Sequence, residues 1–469
     1  MTSLNHKKYH SIDLPSGFVR AFKDADIRGL YPSEVSPELA YRVMAVFVNE
    51  FKYREILIGR DMRVSSPAIY EAAVAGATAA GARVYNLGLI DTPQLYYASG
   101  KKQLPGLMIT ASHNPAEYNG LKLVFPGAVP VTGKTGLNLI RQTITHGIVE
   151  SNKAGGVKHL DLNQEYLRYV TKLTPLPKLS RPLRILVDTG NGMGVAVTPA
   201  LQEAGIEIEV INEKLDGLFP CRGSNPTLKV NQTLVRQAMA SGDFDLGVAF
   251  DGDADRVTIF DEKGRALNSA ETAAILAEEY VREQGSGLKM LYTPLVGRNY
   301  QTVIKRLPAQ SVRARVGHAF IKETMRKHDV TFGAEHSGHF YFKDNYYADS
   351  GILTVRKFLQ AVALKITEEN RPLSEIIKPY QKYHQSDDTL AYVKDKKVAL
   401  TESVIKLAKK YHAKTTKYDG VTLDFAETRI VIKQSVTEDA LKYVVEAPTQ
   451  KEVREVVRVV EEILSEYKV

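Results

Sequence analysis

The sequence has a single cysteine, Cys221, and no long apolar run among its 469 residues. One thiol excludes a disulfide within the chain, and without an export signal a reducing compartment is expected. Residues 1–17, MTSLNHKKYHSIDLPSG, contain no apolar stretch of signal-peptide length. No segment approaches the roughly 20 apolar residues of a membrane-spanning helix. We therefore expect a cytoplasmic protein without a membrane partner.

The composition is that of an ordinary globular chain, with 44% hydrophobic and 25% charged residues. At about 150 residues per domain, this length predicts roughly three domains. The 62 Lys and Arg exceed the 54 Asp and Glu, which gives a formal net charge of +8. Such a balance suits anionic partners, although a generally basic surface is the alternative. The basic residues are scattered and form no nucleic-acid-binding motif, which disfavours nucleic acid.

Short β-rich runs alternate with helical patterns through roughly the first 370 residues. Buried strands are predicted at residues 56–59, 107–110, 185–188 and 246–250, each followed by Gly, Asp, Ser or Asn. Helical patterns lie between them, for example at residues 68–80 and 233–240. This alternation predicts α/β layers with mostly parallel sheets, in which ligands bind at the carboxyl ends of strands.

Three breaks divide the chain into four predicted domains. They are the proline-rich residues 172–182, the turn at residues 261–264, and Arg371-Pro372. The predicted domains span residues 1–160, 161–262, 263–372 and 373–469. The last domain ends in an amphipathic helix that begins with a capping box of Thr449 and Glu452.

The first candidate site is the segment TASHNP at residues 110–115, directly after a predicted strand. Ser112 on such a turn is exposed to attack from one side, and Lys122 nearby can neutralise a phosphate or transfer a proton. A plain polar loop that turns at Asn-Pro is the alternative. A hydrolase triad fits poorly, because Ser112 lacks the flanking glycines of a nucleophile elbow.

The second is DGDADR at residues 251–256, between two predicted strands. Asp251, Asp253 and Asp255 at alternate positions can converge on one hard cation, which would relieve their mutual repulsion. A solvated acidic turn is one alternative. An EF-hand is another, but Arg256 stands where that loop needs glycine and the flanking segments are strands.

The third is GAEHSGH at residues 333–339. Its glycines permit a turn, Glu335 and Ser337 can bond sugar hydroxyls, and His339 can take part in proton transfer. A structural histidine is the alternative.

The fourth is KQSVTE at residues 433–438, after a predicted strand. A cation, two hydroxyls and turn amides suit a phosphate dianion, although the ends of surface strands often have this composition.

Together and in this order, the four segments resemble the α-D-phosphohexomutase superfamily, specifically its phosphomannomutase/phosphoglucomutase branch. The resemblance covers nearly the whole chain. Further matches are residues 26–29 (DIRG), 59–61 (GRD), 187–192 (VDTGNG) and 316–318 (VGH). It implies four domains around a central cleft, three related mixed α/β domains and a smaller C-terminal α+β domain.

The resemblance also implies a role for each candidate residue. Ser112 corresponds to the phosphoserine, which would hold Mg²⁺ together with Asp251, Asp253 and Asp255. The other implied catalytic residues are Arg28, Lys122, Arg256 and His339. The implied substrate-binding residues are Glu335, Ser337, His318, Arg298, Lys433, Ser435 and Thr437.

The resemblance implies an isomerase of carbohydrate metabolism that interconverts hexose 1-phosphate and hexose 6-phosphate, with mannose or glucose as the sugar. The reaction would pass through a phosphoserine enzyme and a hexose 1,6-bisphosphate, which also serves as activator. The expected partner is a small-molecule phosphosugar, with no nucleic acid, and the expected state is a monomer or homodimer.

This chain departs from the family pattern mainly in the fourth segment. Lys433 replaces the usual arginine, Val436 stands where Gly or Asn is usual, and Asp439 replaces a proline. Ala25 also stands where an aromatic residue is common. Lysine offers a point charge where arginine offers a bidentate fork.

Three alternative functions stay open, and the altered fourth segment motivates the second of them. One is a phosphoglucosamine mutase, although that branch usually has glutamine where His336 stands, and residues 216–220 (DGLFP) are closer to the mannose and glucose branch. The second is a non-catalytic phosphosugar-binding protein. The third is a basic nucleic-acid-binding protein.

Overall fold

The computed structural model describes residues 9, 13–146, 149–203, 205–435 and 439–468. The chain forms two units by its internal packing. The first unit contains Met1–Leu267 and Gly338–Ser374, and the second contains Asn268–Ser337 and Glu375–Val469. The second unit therefore begins as an insertion into the first.

The first α/β layer of the first unit is built from residues 18–173; here a layer means one sheet together with the helices packed on it. Its strands are β1 (Ile27–Leu30), β2 (Glu55–Arg60), β3 (Arg83–Leu89), β4 (Gly106–Ile109), β5 (Tyr118–Phe125), β6 (Val129–Pro130) and β7 (Val157–His159). Its helices are α1 (Phe18–Ala21), α2 (Pro37–Phe51), α3 (Ser66–Ala79), α4 (Thr92–Lys102), a π-helical turn (Gly133–Leu137), α5 (Asn138–Thr143) and α6 (Asn163–Leu173).

The sheet of this layer has the order β1-β5-β4-β2-β3-β7, with β6 beside β5. Strands β4, β2, β3 and β7 run parallel, whereas β5 is antiparallel to both β1 and β4. Alanine-rich α3 packs with α2 in the core beside the sheet. Because β2 and β4 are parallel, the loops after Arg60 and Ile109 leave the sheet at the same edge.

The second α/β layer is built from residues 183–261. Its elements are β8 (Leu183–Asp188), α7 (Gly194–Val197), a 3₁₀ turn (Thr198–Leu201), β9 (Ile206–Ile211), a 3₁₀ turn (Lys229–Gln232), α8 (Thr233–Ser241), β10 (Leu246–Phe250) and β11 (Val257–Asp261). The strand order is β11-β10-β8-β9, and β10 and β11 form a hairpin in which Phe250 faces Val257. The acidic residues 251–256 form the loop of this hairpin, so an EF-hand is excluded.

The third layer opens the second unit at residues 268–337. Its elements are α9 (Ser269–Gln284), β12 (Leu288–Tyr292), α10 (Arg298–Arg306), β13 (Ala309–Arg313), α11 (His318–His328) and β14 (Phe332–Ala334). Strand β12 is parallel to both β13 and β14. Helix α9 begins with a capping box of Asn268 and Glu271, which fixes its first turn.

Residues 338–374 return to the first unit. They form β15 (Phe340–Phe342), a 3₁₀ turn (Lys343–Asn345), β16 (Ala348–Asp349) and α12 (Gly351–Thr367). Ser350 caps α12, and the amide of Gly351 donates to the carbonyl of Ala254 at 3.2 Å. The start of this long buried helix therefore supports the acidic loop.

The last layer is an α+β arrangement, which belongs to the second unit from Glu375 onward. Its elements are α13 (Leu373–Ile376), a 3₁₀ turn (Lys378–Tyr380), β17 (His384–Gln385), β18 (Thr389–Tyr392), α14 (Lys396–Tyr411), β19 (Lys414–Lys417), β20 (Val421–Phe425), β21 (Thr428–Gln434), β22 (Ala440–Ala447) and α15 (Gln450–Ser465). The sheet is antiparallel throughout, and α14 and α15 cover one face. The predicted capping box of Thr449 and Glu452 is confirmed.

Three α/β layers followed by a smaller α+β layer confirm the predicted fold class. Within the described ranges, no helix is both long enough and apolar enough to cross a membrane.

Candidate active site

Ser112 lies at the start of the loop after β4. Only 1% of its surface is exposed, so the expectation of an exposed serine is wrong: the acidic loop packs against it. Its hydroxyl donates to Asp251 Oδ2 at 3.0 Å. Its backbone is left-handed, with φ of 52°, a conformation that non-glycine residues adopt only when the surroundings enforce it. The amide of Ser112 donates to Thr110 Oγ1 at 2.9 Å, which closes the turn. The serine is thus held in an unusual conformation and aimed at a carboxylate.

The guanidinium of Arg63, wholly buried below this loop, keeps it in shape. Its nitrogens donate to four backbone carbonyls, those of Ser112 (2.9 Å), Asn114 (2.6 Å), Pro115 (2.6 Å) and Tyr118 (3.0 Å). Asp61 balances its charge, with Nε and Oδ2 3.2 Å apart. Sequence reasoning missed Arg63, and the only signal was the nearby family match at residues 59–61.

A close approach of two loops brings Asp251 to the serine. A Cβ atom on Gly252 would lie 2.6 Å from the carbonyl oxygen of Ser112, closer than a side chain tolerates. Glycine is therefore required at position 252 for the acidic loop to reach the serine loop. Ser224 braces the serine loop from another segment, because its hydroxyl contacts the carbonyl oxygens of His113 (2.6 Å) and Asn114 (3.0 Å).

Asp251, Asp253 and Asp255 converge as predicted for a metal loop. One carboxylate oxygen from each lies within 4.8 Å of the others, and all three residues are buried. Among the described residues, Oδ1 of Asp253 has no hydrogen-bond partner. Clustered buried carboxylate oxygens, one of them unsatisfied, are the ligands of a hard divalent cation such as Mg²⁺. The donor set therefore fits the metal that the sequence predicts.

Lys122 on β5 reaches the same carboxylates. Its Nζ lies 2.8 Å from Asp253 Oδ2 and 2.7 Å from Asp255 Oδ2. Burial opposes the charge of this ammonium, but Asp253 and Asp255 raise the pKa of Lys122 well above its usual value. Thr92 at the start of α4 also donates to Asp253 Oδ2 at 2.6 Å. Sequence reasoning missed Thr92, which no motif marks.

The pKa values of the aspartates diverge because their surroundings differ. Burial, together with the charges of Asp255 and Asp253, raises the pKa of Asp251 well above its usual range. Burial also acts to raise the pKa of Asp255, but Lys122 and His339 override it and hold that pKa well below the usual range. Repulsion between the carboxylates thus opposes ionisation of Asp251 beside Ser112, and a bound divalent cation would relieve that repulsion.

Arg256 and His339 close another side of this cluster. Arg256 Nε donates to His339 Nε2 at 3.1 Å and lies 3.6 Å from Asp251 Oδ2. His339 Nε2 is also 3.3 Å from Asp255 Oδ1 and 3.7 Å from Asp349 Oδ2. Sequence reasoning missed Asp349, because it lies ten residues beyond the recognised segment.

Arg28 lies at the rim of the serine loop. Its guanidinium contacts Asp26 Oδ2 at 2.5 Å and Asn114 Oδ1 at 3.0 Å. Although burial acts against it, Asp26 and the aspartate cluster raise the pKa of Arg28. Burial, Arg256 and Arg28 lower the pKa of His113 well below its usual value, so this ring stays uncharged near neutral pH.

We call the residues gathered around Ser112 the serine–aspartate centre. All of its members belong to the first unit, and they include every residue that the sequence predicts as catalytic or metal-binding. The centre consists of Ser112, Asp251, Asp253, Asp255, Lys122, Arg256, His339 and Arg28. Their roles stay predictions, whereas their proximity is a property of the structure.

The predicted substrate-binding residues lie in the second unit, except Thr437, which is outside the described residues. Glu335 is buried, and its Oε1 accepts from the amide of Gly317 at 3.1 Å. This contact joins the predicted sugar-binding loop to the turn that begins α11 at His318. Ser337 lies two residues beyond Glu335 at the end of this stretch.

Arg298 and Lys433 both make contacts inside the second unit. Arg298 donates through Nη1 to the carbonyl of Glu427 at 2.7 Å, and its guanidinium stacks on the ring of Tyr383. Lys433 Nζ contacts Asp419 Oδ2 at 2.7 Å. Ser435 follows β21, and its amide donates to the carbonyl of Ala440 at 2.9 Å.

Comparisons with known proteins identify three domain families along the chain. The phosphoglucomutase/phosphomannomutase alpha/beta/alpha domains I, II and III match residues 19–148, 164–264 and 268–383, respectively. A phosphomannomutase of Salmonella montevideo is 31% identical over 437 residues, which cover 91% of this chain and 94% of the relative. A protein of Xanthomonas campestris named phosphohexose mutases is 32% identical over 433 residues, with the same coverage.

A solved structure supports the same assignment of the fold. The phosphoglucomutase/phosphomannomutase family protein of Burkholderia thailandensis superposes with a TM-score of 0.82 at 23% identity. The superposition covers 95% of this chain and 98% of that protein.

Proposed function

We propose, from the premise that this chain belongs to the phosphoglucomutase/phosphomannomutase family, that Ser112 carries the phosphoryl group in a hexose phosphate mutase reaction. The enzyme interconverts hexose 1-phosphate and hexose 6-phosphate, with mannose, glucose or both as the sugar. One observation carries the proposal: the hydroxyl of Ser112 lies 3.0 Å from Asp251 at the edge of three converging aspartates.

Hydrogen bonds from a buried guanidinium hold the backbone of the serine loop in place. Arg63 holds the carbonyl oxygens of Ser112 and Asn114, so a phosphoryl group can arrive and leave by rotation of the serine side chain alone. Such fixed positioning is the main contribution that an enzyme makes to phosphoryl transfer.

Asp251, Asp253 and Asp255, together with the side chain of Ser112, would hold Mg²⁺. When bound, this ion neutralises the charge of the transferring phosphoryl group. The cationic residues Lys122, Arg256 and Arg28 surround the same position and stabilise negative charge on the phosphoryl oxygens.

Proton transfer accompanies each phosphoryl transfer, because the attacking sugar hydroxyl must lose its proton. His339 is the candidate to accept this proton, whereas Lys122, which Asp253 and Asp255 keep protonated, is the candidate to donate a proton to the leaving oxygen. Asp255 contacts both of them and keeps them oriented.

The two transfers need a bisphosphate that turns around between them. The first transfer gives hexose 1,6-bisphosphate, and its other phosphate must then face Ser112 for the enzyme to be phosphorylated again. A binding site for the non-reacting phosphate is therefore required. We assign it to Lys433, Ser435 and Thr437, and we assign the sugar hydroxyls to Glu335 and Ser337 with support from His318 and Arg298.

The proposal is tested by mass and by activity. Intact-mass measurement of purified protein should show a species heavier by about 80 Da, one phosphoryl group, which Ser112→Ala lacks and the control Ser151→Ala retains. With Mg²⁺ and a trace of glucose 1,6-bisphosphate, wild-type protein should convert glucose 1-phosphate or mannose 1-phosphate to the 6-phosphate. If both sugar phosphates stay unchanged, the proposal is wrong.

A further inference from the structure

A turn in the last layer packs against Val316, just before the turn that begins α11. Asp419 lies in this turn, and its Oδ2 accepts from the amide of Val316 at 2.8 Å. Two cations share the same carboxylate: Lys433 Nζ lies 2.7 Å from Oδ2, and Arg315 Nε lies 3.7 Å from Oδ1. We call Arg315, Asp419 and Lys433 the Asp419 cluster, and all three residues belong to the second unit.

Glycine makes the contact between this turn and β21 close. A Cβ atom on Gly420 would lie 2.5 Å from Cβ of Lys433, so only glycine lets the turn approach the strand. The carboxylate of Asp419 is thereby placed against the lysine that replaces the usual arginine of the family. The fold therefore fixes the geometry of the Asp419 cluster, and the side chains of Asp419 and Lys433 are both largely buried.

The two cations of this cluster differ in exposure. The side chain of Lys433 is 8% exposed, that of Asp419 is 9% exposed, and that of Arg315 is 49% exposed. Because two cations share one carboxylate, the cluster has a net charge of about +1. The solvent-accessible positive charge lies on Arg315. An anion that approaches from solvent therefore meets Arg315 first.

The guanidinium of Arg315 is oriented by its two neighbours. Its central carbon lies 4.1 Å from the ring centre of Phe320, and Nε faces Asp419. Among the described residues, its terminal nitrogens have no hydrogen-bond acceptor. A planar guanidinium that is held at its root, with its two outer nitrogens available, is suited to bidentate binding of a phosphate.

The chain places Arg315 beside both predicted substrate-binding elements. It lies two residues before Gly317, whose amide is held by Glu335. Through Asp419 it also shares a contact with Lys433, which lies two residues before Ser435. A phosphate at Arg315 would therefore adjoin the predicted anchor.

We propose that Arg315 is a phosphate-binding residue for the non-reacting phosphate of the hexose phosphate, and that Asp419 positions it beside Lys433. Arg315 supplies the bidentate fork that lysine at position 433 lacks. The assignment rests on the proposed function, because it presumes a phosphosugar whose distal phosphate binds in the second unit.

The experiment measures KM and kcat for mannose 1-phosphate and glucose 1-phosphate with Arg315→Gln. Loss of a charge-assisted bidentate contact should raise KM by roughly tenfold or more, with a smaller change in kcat. The KM of Arg315→Lys should lie between those of the wild type and Arg315→Gln, because lysine keeps the charge and loses the bidentate fork. The matched control is Arg313→Gln, which removes the same charge two residues earlier, where the guanidinium stacks on Tyr418. Its KM should stay within about twofold of the wild type.

A rescue variant separates phosphate binding from a structural effect. Lys433→Arg returns a fork to the anchor, so adding it to Arg315→Gln should recover part of the lost affinity. The inference is overturned if the KM of Arg315→Gln stays at the wild-type value. It is also overturned if Arg315→Gln and Arg313→Gln raise KM by the same factor. Failure of the proposed function looks different, because the wild-type protein would then convert neither sugar phosphate.

Discussion

The serine–aspartate centre and the Asp419 cluster both place cations around carboxylates, but they differ in how much water reaches them. In the centre, Lys122 and all three aspartates are buried, and each charge depends on the others. In the cluster, Arg315 is half exposed, so solvent can compensate for a change there. The buried centre therefore restricts which residues it can contain, whereas the half-exposed side of the Asp419 cluster tolerates a change of cation more readily.

This difference explains where the chain departs from its family. The residues around Ser112 resemble the family pattern, whereas Lys433 stands at the proposed phosphate anchor, where the family usually has arginine. A second cation on the same carboxylate can offset that replacement without any change in the centre. Substitutions in the two regions should thus differ in size and in kind, and the largest effects should come from the aspartates.

The largest loss is expected from Asp253→Ala. This change removes one of the three converging carboxylates and takes the acceptor from Thr92. Because metal neutralisation contributes several kcal/mol, kcat should fall by roughly a thousandfold or more. The measurement is kcat across a range of MgCl₂ concentrations. Asp243→Ala, at a fully exposed side chain, is the matched control and should behave as wild type. An unchanged magnesium saturation curve for Asp253→Ala would contradict the assignment.

Lys122→Met should give the next largest effect, and it should separate chemistry from metal binding. Loss of a proton-transfer and charge-stabilising group should lower kcat by about a hundredfold or more. Because the ammonium contacts Asp253 and Asp255, its removal should at the same time let the carboxylates bind Mg²⁺ more tightly. Steady-state rates at varied Mg²⁺ measure both quantities. The control is Lys122→Arg, which keeps the charge and should leave magnesium binding nearly unchanged. Weaker magnesium binding by Lys122→Met would contradict this prediction.

Arg63→Met should weaken the fold and the reaction together. It removes one donor from each of four loop carbonyls and leaves the buried carboxylate of Asp61 without its counterion. Breaking one partner of a buried pair costs about 3–5 kcal/mol, so the thermal midpoint should fall by several degrees. The fraction of phosphorylated Ser112, read by intact mass, should fall as well. A lower midpoint with full phosphorylation would mean that Arg63 stabilises the fold without positioning the serine.

The smallest effect concerns Asp91, which caps α4 just before Thr92. Burial raises the pKa of Asp91 to about 7, so the folded protein favours the protonated acid. Because the folded pKa is above the unfolded value of about 4, stability should decrease as pH rises from about 4 to about 7. Asparagine is also a good cap and carries no charge. In metal-free protein, Asp91→Asn should therefore melt a few degrees higher than wild type at pH 8, with a smaller difference at about pH 5 and none below about pH 4. A lower midpoint at pH 8 would reverse the sign of this argument.

Much of the molecule could be predicted from the sequence, because its strands are short, apolar and followed by polar residues. The strand Leu246–Phe250 has the predicted bounds, and the helix predicted at residues 233–240 spans Thr233–Ser241. The fold class, the family and the assignment as a phosphohexomutase are confirmed. The predicted domain boundaries and the roles of the site residues stay predictions.

The residues that the sequence missed share one property, which is that they act through distant partners. Arg63 contacts carbonyls about fifty residues away, Thr92 contacts Asp253, and Arg315 shares Asp419 with Lys433. A motif records which residues are adjacent along the chain. It does not record which side chain a fold will bring beneath a loop, because that depends on packing between segments.

The interrupted course of the first unit has a consequence for synthesis. Ser112 and the aspartates precede the inserted residues 268–337, whereas His339 and Asp349 follow them. A ribosome therefore adds Ser112, the three aspartates and Lys122 well before it adds His339, which lies beside Asp255. Until His339, Asp349 and the helix Gly351–Thr367 have been synthesised, the nascent chain contains acidic residues that are buried in the folded protein but are not yet covered. Chaperones or free magnesium would have most to protect during that interval.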